Sequence, residues 1–241
     1  MQANHLDAVR KAAFDGRMRI VITVLIFLSL SACGRPLTEN EVELASRLFG
    51  DELDTARVRF GSSRLIGLRE NRFPARPQTT CRERIAPPPE TEWLTGRTAG
   101  VTLWNQVTVR DGLMRDDFVR LPDGTLPLGV AMFFAHEVTH IWQWQNRATT
   151  GYSPLRVGLE HQTGIDPYLF DADANPGFAD FGYEQQASLV EEYVCCVALD
   201  PQGSRTQRLH DLLSQVMTPS DLPDWPVRIP WRDAPTRGIC S

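Results

Sequence analysis

Lysine is nearly missing from this chain. Lys11 is the single example, so almost all positive charge is arginine. The net charge is −5 over 241 residues. It is more negative beyond residue 32, because four bases and only two acids precede that point. An acidic chain without a basic block argues against nucleic acid as a partner, since binding phosphates requires clustered cations. Cysteines never occur in CxxC spacing, which argues against a cysteine-rich zinc site. No internal repeat is visible. Beyond residue 32 no apolar run is long enough to suggest a second membrane signal.

What the N-terminus does contain is a short apolar run. In "MRIVITVLIFLSLSACG", Met18 to Gly34, Arg17 and Arg19 precede an apolar stretch from Ile20 to Leu30. That stretch is too short to span a bilayer as a helix but suits a secretion signal. It ends in Leu30-Ser31-Ala32-Cys33, which resembles a bacterial lipobox, with Cys33 as the lipid-bearing residue. Residues 1–32 are therefore predicted to be a signal peptide, with Met18 as an alternative start. Gly34 after the cysteine resembles the outer-membrane sorting pattern. The expected product is an outer-membrane lipoprotein facing the periplasm, with residues 33–241 as one domain. Residues 218–241, rich in Pro and Trp, read as an extended tail.

Four cysteines follow Cys33: Cys81, Cys195, Cys196 and Cys240. An even count in an exported protein suggests two disulfides. Cys195 and Cys196 are helix neighbours that point in different directions. One is expected to pair with Cys81 and the other with Cys240, and the sequence leaves open which.

The chemistry concentrates in "FFAHEVTHIWQWQ". On a helix, His136 and His140 lie on one face one turn apart, so both can offer a ring nitrogen to one Zn²⁺. Glu137 points about 100° away around the helix, where it can reach a water without being a ligand. That is a zincin pattern, two histidine ligands and a glutamate base. The helix is well supported. No proline falls between Leu128 and Gln145, Pro127 suits its start, and Thr125 or Asp123 can cap it. Its flanks are apolar, so a buried His and Glu need partners.

Other elements are coarser. "PLTENEVELASRLFG", residues 36–50, reads as a helix with a Thr38/Glu41 capping box and Gly50 just beyond its end. Ala56–Phe60 and residues 99–110 read as strands, the second bent or paired. Residues 71–92 read as a loop and residues 147–182 as a long irregular connection. Residues 183–199 and 204–217 read as helices. The fold class is α+β, with a small sheet packed on the HEVTH helix and a second, ligand-bearing helix.

A catalytic zinc needs a third protein ligand. Gln143 and Asn146 stand where a metzincin would carry Gly and His. The candidates are therefore His161, Glu184, Glu191 and the aspartates 166, 171, 173 and 180. Glu184 is favoured, because Ala187, Ser188, Glu191, Cys195 and Ala198 share its helix face and small residues permit close helix approach. Glu191 is a candidate partner for a ligating histidine, and Glu192 falls off that face and reads as solvated. His161 or Tyr168 can serve as donor to the oxyanion of a tetrahedral intermediate. His210 reads as structural or exposed.

The order "LTENEVELASRLFGDELDTARVRF", a strand, "FFAHEVTHIWQWQ" and "FGYEQQASLVEEY" resembles bacterial vgr-related proteins. These are zincin-like proteins similar to HExxH domains of toxin and contractile-injection loci. The resemblance covers Leu37–Phe60 and about Val101–Tyr193. It implies zinc on His136 and His140, Glu137 as base, and Glu184, in the family's E-Q-Q motif, as third ligand. The lipobox, the four later cysteines and the Pro/Trp tail depart from the family pattern. The expectation is a membrane-anchored zinc metallopeptidase acting on a peptide or protein. The alternative is a zincin fold kept as an inactive, metal-stabilised scaffold or binding module of the cell envelope.

Overall fold

The computed structural model describes residues 34–161, 166–171 and 177–241. Residues 1–32, predicted as a signal peptide, together with Cys33 and Asp173, lie outside the described residues. The class is α+β, with small sheets and seven α-helices among the described residues.

Helix α1, Glu39–Phe49, begins at the expected box. Thr38 accepts from the Glu41 amide, and the Glu41 carboxylate accepts from the Thr38 amide at 2.9 Å. Gly50 ends it at φ 57, a left-handed conformation that glycine adopts without steric cost. The first strand, β1, is Arg59–Ser63 and not Ala56–Phe60. Asp54 accepts from the Ala56 amide and draws Thr55–Arg57 into a 3₁₀ turn, which delays the strand.

Residues 71–92 are not all loop. Strands β2 (Glu70–Pro74) and β3 (Trp93–Arg97) pair antiparallel, and between them lies the short helix α2 (Cys81–Arg84). Residues 99–110 are indeed a paired element. β4 (Gly100–Leu103) and β5 (Gln106–Arg110) form a hairpin across Trp104 and Asn105. The main sheet runs β1-β5-β4, with β1 parallel to β5 and β4 at the edge. Val107 and Val109 alternate inward along β5, as a half-buried strand requires.

β6 (Leu126–Pro127) leads directly into helix α3 (Leu128–Gln145). The expected cap is absent. Pro127 occupies the cap position and offers no side-chain bond, while Asp123 caps the preceding turn by accepting from the Thr125 amide at 3.0 Å. The chain is committed there to pairing with β7 (Val227–Arg228), and that pairing sets the entry to the helix. Beyond α3 the predicted irregular connection contains α4 (Arg147–Thr150) and α5 (Pro154–Glu160), the latter capped by Ser153. Helix α6 is Tyr183–Leu199, as expected, and α7 is Ser204–Leu213, four residues shorter than read.

α3 and α6 make the most extensive helix contact, and α3 also lies against β4 and β5. Phe60 of β1 meets Phe134 of α3 at 5.5 Å and Phe118 at 5.1 Å, so an aromatic cluster joins sheet and helix. Both disulfides form. Cys81 pairs with Cys195 and Cys196 with Cys240, so the neighbouring cysteines diverge as helix geometry requires. The closed loops are 114 and 44 residues long. In the chain-entropy account each constrains the unfolded state by about 4–5 kcal/mol. Residues 218–241 have little regular structure beyond the short strand Val227–Arg228, and Cys240 ties their end to Cys196. No described helix is long and apolar enough to cross a membrane.

Candidate metal centre

His136, Glu137 and His140 sit on the buried stretch of α3, each under a tenth exposed. Glu184 is in the first turn of α6 and equally buried. The helix contact brings three donor atoms to one point. His136 Nε2 is 3.1 Å from Glu184 Oε2, His140 Nε2 is 3.3 Å from the same oxygen, and the two ring nitrogens are 3.3 Å apart. A tetrahedral ion with bonds of about 2.0–2.1 Å has ligand-to-ligand edges of about 3.3–3.4 Å. The three donors therefore outline one face of such a tetrahedron. Two imidazole nitrogens and a carboxylate oxygen, all buried, form a group that can hold a metal ion.

Surrounding side chains orient the donors. His140 Nδ1 donates to Gln143 Oε1 at 2.8 Å. The Gln143 amide nitrogen in turn donates to Tyr183 O and Gln186 Oε1, which fixes the direction of its oxygen. With Nδ1 protonated, Nε2 presents its lone pair to the shared point. Gln143, which rules out the metzincin pattern in the sequence, thus has a positive role. His136 Nδ1 faces Glu191 Oε2 at 3.7 Å, and Glu191 accepts from Arg82 at 2.7 Å. Burial pushes the His136 pKa down, but Glu191 and Glu184 outweigh it and lift it to about 10. Burial pushes the Glu184 carboxyl up, and the two imidazoles pull it well below the usual carboxylate range. Glu160 holds the start of α6 in register, accepting from the Tyr183 and Glu184 amides at 2.9 and 3.1 Å.

Glu137 stands apart from the donor triangle, as its helix position requires. Its Oε2 accepts from Thr102 of β4 at 2.5 Å. Gly100 allows this approach, because a Cβ there would lie 2.8 Å from Glu137 Oε1 and 2.9 Å from the Phe133 ring. Neither Thr102 nor Gly100 is conspicuous in the sequence. An alternating strand before the motif is the one signal that points to them.

The remaining candidates divide. His161 and Tyr168 meet at the rim. His161 Nε2 is 3.0 Å from the Tyr168 hydroxyl and 3.5 Å from Glu184 Oε1, and the Tyr168 ring is 5.7 Å from that of His136. Burial and the Glu184 and Glu137 carboxylates raise the pKa of Tyr168, so it is a neutral hydroxyl at physiological pH. Tyr152, which sequence reasoning passed over, lies 6.1 Å ring to ring from His140, with its pKa raised by burial and the same carboxylates. Asp166 binds Arg76 through both oxygens, and Asp180 caps a turn at Gly177. His210 is on α7, 6.2 Å ring to ring from Tyr193. Glu192 is a correction. It is fully buried, not solvated, and accepts from the Cys81 and Arg82 amides and from Arg205. The helix wheel placed it off the metal face correctly, but α2 packs on that second face.

An α+β fold with a buried His/His/Glu group can be compared with known proteins. No family model matches the chain. It is 26% identical over 165 residues to the type VI secretion system spike protein VgrG2b of Pseudomonas aeruginosa. That match covers 66% of this chain and 13% of the relative's length. Among solved structures it superposes on the effector domain of Pseudomonas aeruginosa VgrG2b with a TM-score of 0.52 and 20% identity. The superposition covers 76% of this chain and 85% of that domain. The likeness is thus to one segment of a much longer protein, and at this identity the superposition speaks for the fold.

Proposed function

We propose that this chain is a zincin-type zinc metallopeptidase that cleaves peptide bonds in an exported, lipid-anchored form. The observation that carries the reading is the triangle of His136 Nε2, His140 Nε2 and Glu184 Oε2, with Glu137 one residue along and outside it. His136, His140 and Glu184 would hold one Zn²⁺. When bound, zinc supplies Lewis acidity and lowers the pKa of a water toward about 7. Thr102 holds Glu137 Oε2, leaving Oε1 to take the water's proton and pass it to the leaving amine. Gln143 and Glu191 keep the two rings oriented. Tyr168 or His161, at the rim, offers a proton to the developing oxyanion. β4 pairs on one side with β5 and, among the described residues, with no strand on the other, an edge suited to strand addition by an extended peptide. The likeness to a VgrG2b effector domain supports the fold, and the donor chemistry supports the metal. Export and anchoring rest on the lipobox at Cys33, which would place residues 33–241 in the periplasm at the outer membrane.

The test is metal content and turnover on a peptide library, with Glu137→Gln beside the parent. The expected result is about one zinc per chain in both, with turnover in the variant lower by about 10²–10⁴. Turnover that survives in the variant removes Glu137 from the base role. Zinc without turnover in the parent supports the inactive scaffold instead. Cys33→Ser is expected to move the protein from membrane to soluble fractions, and an unchanged distribution refutes the anchor.

A further inference from the structure

The covalent tie at Cys81 lies one residue from a side chain that reaches the metal centre. The Arg82 side chain is 7% exposed, and its guanidinium donates to Glu191 Oε2 at 2.7 Å, Glu83 Oε1 at 2.7 Å and the Tyr168 carbonyl at 3.2 Å. Glu191 faces His136, and Tyr168 lies at the rim beside the same ring. One arginine therefore supports both the back of a donor ring and the segment that covers it. Its own position depends on α2, a helix of a single turn. Chain on both sides of α2 has little regular structure, and Pro87–Trp93 is largely exposed. α2 is fastened to α6 by the Cys81–Cys195 disulfide and by the Cys81 and Arg82 amides on Glu192. Glu191 and Glu192 are adjacent on α6, so the fastening and the support of the metal centre are separated by one peptide unit.

We infer that the Cys81–Cys195 disulfide is a redox clamp on the metal centre. It holds Arg82, a positioning residue, against Glu191 and the Tyr168 segment, and tight metal retention requires it. The inference rests on the metal reading above. Formation transfers two electrons and two protons from the Cys81 and Cys195 thiols to an external disulfide, which leaves as a dithiol. Both cysteines are fully buried in the folded chain, so the exchange belongs to folding and not to the finished protein. A copy folded in a thiol-rich compartment would carry a loose site, and one folded in an oxidising compartment would carry a tight one. The second disulfide, Cys196–Cys240, ties the tail; its sulfurs lie within 4.8 Å of Cys81 Sγ and Cys196 Sγ is 3.6 Å from Glu192 Oε1, so it adjoins the fastening without carrying Arg82 and serves as a comparison of degree.

The experiment measures zinc release to a chelator from the oxidised full chain, from the pair Cys81→Ser/Cys195→Ser, from the pair Cys196→Ser/Cys240→Ser and from Arg82→Gln. Circular dichroism establishes folding of each. Loss of an outer support typically costs about 10–100-fold in metal affinity. The first pair and Arg82→Gln are expected to release zinc at least about tenfold faster. The second pair should accelerate release clearly less than the first, because it adjoins Glu192 but does not hold the residue next to Arg82. Parent-like release from the folded first pair overturns the clamp while leaving the metal centre intact, and equal acceleration in both pairs reduces it to general loosening. If the first pair does not fold, Arg82→Gln decides, and parent-like release in that variant overturns the inference. A parent that binds no zinc defeats the metal reading and the clamp with it, a result distinct from the others.

Discussion

The two faces of α6 carry acids in opposite settings. Toward α3, Glu184 and Glu191 face imidazoles in an arrangement whose donors converge on a point. Toward α2, neighbouring Glu192 is enclosed by two amides and Arg205, with nothing left to bind. Burial is similar on both sides, so burial alone does not mark a site. The difference is completion. A structural carboxylate ends in protein donors of fixed position, whereas a ligating one shares its oxygen with other lone-pair donors that need a cation between them.

That comparison can be broken deliberately. The largest effect is expected from Glu184→Ala, which should reduce bound zinc from about one per chain to a small fraction by metal analysis, because a two-histidine site lacks the usual third ligand. Retained zinc would move the third ligand elsewhere, with His161 first to test. Next, Glu192→Ala should lower unfolding stability by about 3–5 kcal/mol in denaturant melts, since Arg205 and two amides lose a buried partner. Most of that loss should already be present in the metal-free protein, and a loss seen only with metal bound would erase the distinction between the faces.

A pH series sharpens the same contrast. In the metal-free protein His136 is lifted from 6.5 to about 10, so its contribution is complete below about pH 6.5 and fades as pH rises toward 10. Glu184 and Glu191 are held low, so their contribution is present above the ordinary carboxylate pKa and fades in acid. Metal-free melting temperature should therefore be highest between about pH 4.5 and 6.5 and fall on both sides. Zinc, which needs neutral imidazoles, should add stability that grows with pH over the range where the apo protein weakens. A flat apo profile from pH 6.5 to 10 would contradict the charge arrangement at His136. The smallest effect is expected from Thr102→Val, about 1–3 kcal/mol in stability, because the buried Glu137 carboxylate loses its side-chain donor. Zinc content should be unchanged, because Thr102 touches the base and not the donors.

Legibility followed the range of the interactions involved. The Thr38/Glu41 box and the α3 helix were readable because each rests on bonds within a few residues, and the bounds of α6 because the Gly182–Gln185 bond marks its start locally, with Glu160 added from outside. Glu184 could be ranked first because a helix face is a local property. The strand at Ala56–Phe60 was misplaced because a side chain two positions away, Asp54, captured the Ala56 amide first. The cap of α3 was misjudged because β6 pairs with a strand 101 positions further on, Leu126 with Val227. Glu192 was misjudged because its partner α2 comes from 110 residues earlier.

By itself the sequence determined the spacing of His136, Glu137 and His140, the helices that carry the four key side chains, and the two-disulfide count. These follow from helix period and cysteine number. Tertiary structure alone decided that Glu184 closes the triangle, that Gln143 and Glu191 aim the rings, that Thr102 holds the base, and which cysteine takes which partner. Each of those depends on where two distant segments come to rest, and packing of α3, α6, β4 and α2 sets distances that no local period specifies.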